Sequence, residues 1–141
     1  MHAVDYAENA IRTGYPKTFK AHGAEWTIET GHARIAELEA KNLEIGPSDG
    51  RVTEIHLIRE AMASYIAARE AKKWEIVRSC NIADYTHKLE QLGTTPEPTD
   101  RTIVYIDNAG HRRHGRYTTE QGFYRALLRI ETKRQDLIWA E

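Results

Sequence analysis

From Val52 to Ile66, apolar side chains recur every three or four residues: Val52, Ile55, Ile58, Met62, Tyr65 and Ile66. That period belongs to a helix with one buried face. Ala61, Ala63, Ala67, Ala68 and Ala71 raise helix propensity along the same stretch, and their small side chains let another helix approach closely. The spacing predicts a helix over about 51–78, with Arg59, Glu60, Arg69, Glu70, Lys72 and Lys73 mostly on its solvated side. Such a stripe must be covered by other elements, and here most of those are helices too.

Four shorter helices are expected around it. Val4, Ala7 and Ile11 share a face over 3–13, and Gly14 and Pro16 end that helix. Residues 14–31 are ambiguous: "EWTIET" alternates like a short strand but also fits an irregular segment pinned by Trp26 and Phe19. Ile35 and Leu38 mark a helix over 32–44, and "GPSDG" at 46–50 is a turn. "SCN" at 79–81 suits a break, with Asn81 capping a helix over 82–92 whose stripe is Ile82, Tyr85, Leu89 and Leu92. "TTPEPTD" at 94–100 reads as a linker, because its two prolines oppose regular structure. "TIVYID" is β-branched and aromatic, and "DNAG" can turn it back into "HRRHGRYT", a hairpin over about 102–117 in which Gly115 marks a bulge or twist. Thr118 and Gln121 form a capping-box pattern, and Phe123, Leu127, Ile130 and Leu137 carry a last helix over 119–138.

The expected fold class is mainly α (α+β): a compact bundle of four to five helices with one β-hairpin before the C-terminal helix. With 141 residues, the chain suits a single domain over 1–141. Apolar residues make up 40% and charged residues 29%, which implies a modest core and leaves room for self-association. A lone cysteine, Cys80, allows no intrachain disulfide. The N-terminal "MHAVDYAENA" lacks the apolar run of a secretory signal, and no stretch is apolar for long enough to span a bilayer. The expected location is cytoplasmic.

Chemistry-bearing patterns are sparse. There is no Gly-rich phosphate loop, no HExxH and no GxSxG. Of seven histidines only His111 and His114 form a close pair, and on a strand that spacing points them to opposite faces. Cys80 and His87 lie too far apart along a helix for a preformed dyad. The reading is therefore non-catalytic, with no catalytic, cofactor-binding or metal-binding residues.

The strongest signal is basic. Residues 101–141 hold eight Lys/Arg against five Asp/Glu, whereas residues 1–50 hold five against eight. Arg112, Arg113, Arg116, His111, His114, Tyr117 and Arg125 are the candidate partner-binding residues, on the hairpin and an adjacent helix face. Arginine supplies a planar fork of donors for carboxylate or phosphate, and Tyr105 and Tyr117 add ring surface. The bland reading pairs Arg112, Arg113 and Arg116 with Glu and Asp on neighbouring helices. The functional one is an adaptor or inhibitor that docks on a protein partner, a role that would suit a phage- or mobile-element-encoded protein. The alternative is a nucleic-acid-binding domain using the hairpin as a wing. Net charge near neutral favours the protein partner, since nucleic-acid affinity comes largely from phosphate neutralisation.

Overall fold

A helix of 44 residues, α3 (Asp49–Leu92), is the longest element of the computed structural model, which describes residues 2–141. Around it in chain order lie α1 (Ala3–Gly14), β1 (Phe19–Ala21), β2 (Ala24–Trp26), α2 (Ile28–Ile45), β3 (Pro98–Ile106), β4 (Arg112–Thr119), α4 (Glu120–Thr132) and β5 (Asp136–Ala140). The fold is α+β, with four helices and two small antiparallel sheets among the described residues. Contacts divide the described residues into two units: Val4–Trp74, and Glu75–Glu141 with residues 2 and 3.

The expected break at 79–81 is absent. Ser79, Cys80 and Asn81 include neither glycine nor proline, so nothing in their backbones opposes continuation. The Asn81 side chain donates to Glu131 Oε1 at 3.4 Å instead of capping a new helix. The expected helices 51–78 and 82–92 are therefore one.

In the unit Val4–Trp74, β1 and β2 form a hairpin with Phe19 opposite Trp26. Its two-residue turn has positive φ at both His22 and Gly23, the geometry that matches strand twist. Thr27 then caps α2 in a reciprocal box with Thr30, which starts the helix four residues before the expected position 32. Ile35 and Leu38 from α2 meet Ile55, Ile58 and Met62 from α3 and Phe19 from β1 in one core. Arg34 grips Glu54 through two hydrogen bonds of 3.1 Å, and Arg51 donates to the Gly46 carbonyl at the end of α2. These ties fix the α2–α3 hairpin.

In the other unit, β3 is the centre of a three-stranded sheet ordered β4-β3-β5. Pro98 begins β3, where its missing N–H costs no central ladder bond, so the expected linker is already strand at its end. The hairpin spans 98–119 rather than 102–117. Its register shift lies between Pro98 and Arg101, not at Gly115. Gly115 is required for another reason: the Tyr117 ring lies over it, and a Cβ there would come 2.6 Å from the hydroxyl.

The last helix also differs. Thr119, not Thr118, is its cap, and its hydroxyl accepts from Gly122 N at 3.0 Å. Gln121 is buried and turned to the preceding segment, accepting from Glu97 N and donating to Thr95 O. The helix stops at Thr132, not 138, because Arg134 takes a left-handed φ of 57°. Leu137 and Ile138, expected on the helical stripe, lie instead in β5, where Leu137 and Trp139 pair with β3.

Glu131 gives this unit a pH signature. Burial pushes its carboxyl above the usual range, against the downward pull of the Asn81 hydrogen bond and of Arg78. The folded state then binds the proton more tightly than the unfolded chain. Stability is full below the ordinary carboxylate value and falls as pH rises through the raised folded value. Glu131→Gln is expected to flatten that fall in urea midpoints measured from about pH 4 to about pH 7. Parallel curves for wild type and variant would show that the burial of Glu131 sets no such dependence.

Candidate interaction surface

Alternation along β3 sorts the C-terminal sheet into two faces. Ile103 and Tyr105 point to α4 and join a core with Phe123, Ala126, Leu127 and Ile130. Tyr117 and Ala140 share that side. Thr102, Val104 and Ile106 point the other way, in register with Arg116, His114 and Arg112 on β4. On the far edge Trp139 pairs with Val104, and a bulge at Ile138 precedes it. Val104 is only 7% exposed between its neighbours, but Ile138 and Trp139 are 52% and 47% exposed in the chain as a whole. The result is a free face with an apolar centre, a tryptophan on one edge and Arg112, His114 and Arg116 on the other.

The seven candidate residues are therefore not one patch. Arg112, His114 and Arg116 lie on the free face. Arg113 shares the register of Tyr105 on the α4 side, and Tyr117 packs edge-on against Phe123 at 6.4 Å. His111 belongs to the turn, and Arg125 stands on the exposed side of α4. Tyr105 and Tyr117, expected to offer ring surface, are spent on packing against α4. His114 lies on β4 and His111 in the turn, and among the described residues no three His, Cys, Asp or Glu converge on a metal position.

Charge pairing is selective. Arg116 makes a two-pronged bond to Asp100, Nε to Oδ1 at 2.8 Å and a second at 3.1 Å. Arg113 Nε donates to Asp107 Oδ2 at 2.8 Å. Asp107 also accepts from the backbone N–H groups of Ala109 and His111, which closes the turn. The Arg113 guanidinium, then the His111 and Ala109 N–H groups, hold the Asp107 carboxyl below the usual range. Asn108 donates to the Lys133 carbonyl rather than taking positive φ, a role left to Gly110. Two of the three hairpin arginines are thus paired within the hairpin itself, by aspartates rather than by acids on neighbouring helices. Among the described residues, Arg112, Arg125 and Arg129 enter no ion pair and no side-chain hydrogen bond.

Sequence patterns pointed to β4 but missed the other edge, because Leu137 and Ile138 fit the stripe of the expected helix as well as a strand. The available signal was "LIW" after a helix that had already completed its apolar face. No described helix is long and apolar enough to cross a membrane. Neither the protein-family models, the curated proteins nor the solved structures give a match to this chain.

Proposed function

We propose that the chain is a small non-catalytic binding protein, acting in the cytoplasm as an adaptor or inhibitor, that docks on a protein partner through the free face of its C-terminal sheet. The observation that carries this reading is the exposed Ile138–Trp139 pair beside the buried Val104, with Arg112, His114 and Arg116 along the opposite edge. An apolar centre with a polar rim is the anatomy of a protein interface, and tryptophan and arginine are the residues most often found to dominate one. The Arg116–Asp100 pair is exposed at both ends, and such pairs contribute only about 0–1 kcal/mol, so a partner's carboxylate can compete for the guanidinium.

Nucleic acid is the second reading, since Trp139 offers a stacking platform on the same sheet face as unpaired Arg112, at the opposite edge. Charge weighs against it: residues 75–141 hold ten Lys/Arg and ten Asp/Glu. The test captures partners on tagged wild type and on Arg112→Glu/Trp139→Ala, then remeasures affinity with the purified partner. Losing a tryptophan anchor should cost about 2 kcal/mol or more of binding. Unchanged affinity would sink the sheet face as the docking surface. Salt-dependent anisotropy of labelled single strands or duplexes, lost in the same variant, would instead install the nucleic-acid reading.

A further inference from the structure

The free cations of the C-terminal unit concentrate away from the hairpin. Arg101, Arg113, Arg116 and Arg134 are answered by Glu120, Asp107, Asp100 and Glu75. On α4, Phe123, Ala126, Leu127 and Ile130 are buried, and Arg125 and Arg129 stand exposed on another side. They are one turn apart, roughly 6 Å along the axis, and Lys133 at the C-cap continues the row. Three and four residues from either arginine lie Gln121, Gly122, Ala126, Leu128, Thr132 and Lys133, with no acid among them. Like charges at this spacing weaken a helix. The helix dipole repays Arg129 and Lys133 near the C-terminus, but not Arg125 in the middle. The row is a local charge excess that the fold itself leaves unanswered.

Beyond the sheet face proposed above, we infer that this exposed side of α4, which lies across the sheet from that face, is a second, charge-recognising surface, and that it takes an acidic polypeptide segment with carboxylates one helical turn apart. Guanidinium and carboxylate match in geometry as well as sign, and charge-assisted pairs are the strong ones. A long polyanion fits less well. Residues 75–100 of the same unit hold two basic and five acidic residues, which oppose an extended phosphate backbone but not a short segment confined to α4.

The test is fluorescence anisotropy of the full chain with a fluorescein-labelled helical peptide bearing glutamates at i and i+4. The comparison probes are its lysine counterpart, a single-stranded oligothymidylate and phosphatidylserine vesicles. Arg125→Glu places a carboxylate one turn before Arg129, a favourable helix pair, so its Tm should not fall. Binding of the glutamate peptide should nevertheless drop roughly tenfold, and should weaken with salt. Arg125→Gln, which only removes the charge, should lose binding in the same direction and keeps the test if the first variant fails to fold. Equal binding by wild type and variants overturns the inference, as does tighter binding of oligothymidylate or vesicles with the same loss. The docking reading fails separately: a partner whose affinity survives Arg112→Glu/Trp139→Ala overturns the sheet face whatever the glutamate peptide does.

Discussion

Phe123→Ala is expected to destabilise the C-terminal unit by about 3–5 kcal/mol, a large part of the ~5–15 kcal/mol that holds a typical domain together. Phe123 is 1% exposed and sits at the centre of the α4–sheet core. Its ring meets Tyr124 edge-on at 5.2 Å and Tyr117 at 6.4 Å. The Arg101 guanidinium lies over it at 3.7 Å from the ring centre. Truncation therefore opens a cavity, removes two aromatic contacts and takes the ring from beneath a cation held on its other side by Glu120. Urea titration gives the size of the loss, and amide exchange should place it in β3 and α4. Ile138→Ala, at a half-exposed position of the same unit, should stay within about 0.5 kcal/mol. A Phe123→Ala effect no larger than that would mean that this core does not hold the unit together.

The long helix was legible because its stripe from Val52 to Tyr65 repeats at one period and its alanines agree with it. Its true length was not, because Asn81 carries a cap-forming side chain whose role was set by Glu131, fifty residues away. The strand β3 was legible from "TIVYI", where local preference and pattern coincide. At β5 they did not coincide: Leu137 falls on the stripe begun by Phe123, and only the left-handed turn at Arg134 takes it off. The hairpin at 19–26 was not legible: "EWTIET" suggested a strand, but β2 ends at Trp26 and α2 begins at Ile28, and three-residue strands leave almost no period to read.

For the surface, sequence showed where the arginines are and not what they touch. Asp107 and Asp100 look like turn and linker residues, yet each holds a hairpin arginine. Strand alternation does predict that Arg112, His114 and Arg116 share one face and that Arg113 and Tyr117 share the other. What it leaves open is which face a helix covers. That depended on Phe123 and Ile130 reaching Ile103 rather than Val104. Trp139 entered the site only through long-range pairing with Val104, which no local pattern encodes.

The second large effect lies in the other unit. Ile58→Ala is expected to cost about 2–5 kcal/mol, because Ile58 is fully buried among Phe19, Ile35, Leu38, Ile55 and Met62. The upper part of that range applies if the neighbours cannot close the void, and Gly31 lets the test ask this directly. A Cβ built on Gly31 would lie 2.6 Å from Met62 Cε, 3.2 Å from Phe19 Cζ and 3.6 Å from Ile58 Cγ2. In wild type, Gly31→Ala gains about 1 kcal/mol of helix propensity but must displace the Met62 methyl, so the two effects oppose. With Ile58 truncated, that methyl has somewhere to go. Gly31→Ala should then be more favourable in the Ile58→Ala background than in wild type, by about 0.5 kcal/mol or more in a double-mutant cycle from urea titrations. Strict additivity would show that Gly31, Met62 and Ile58 do not share one packed volume, and the close approach of α2 to α3 at Gly31 would lose its physical explanation.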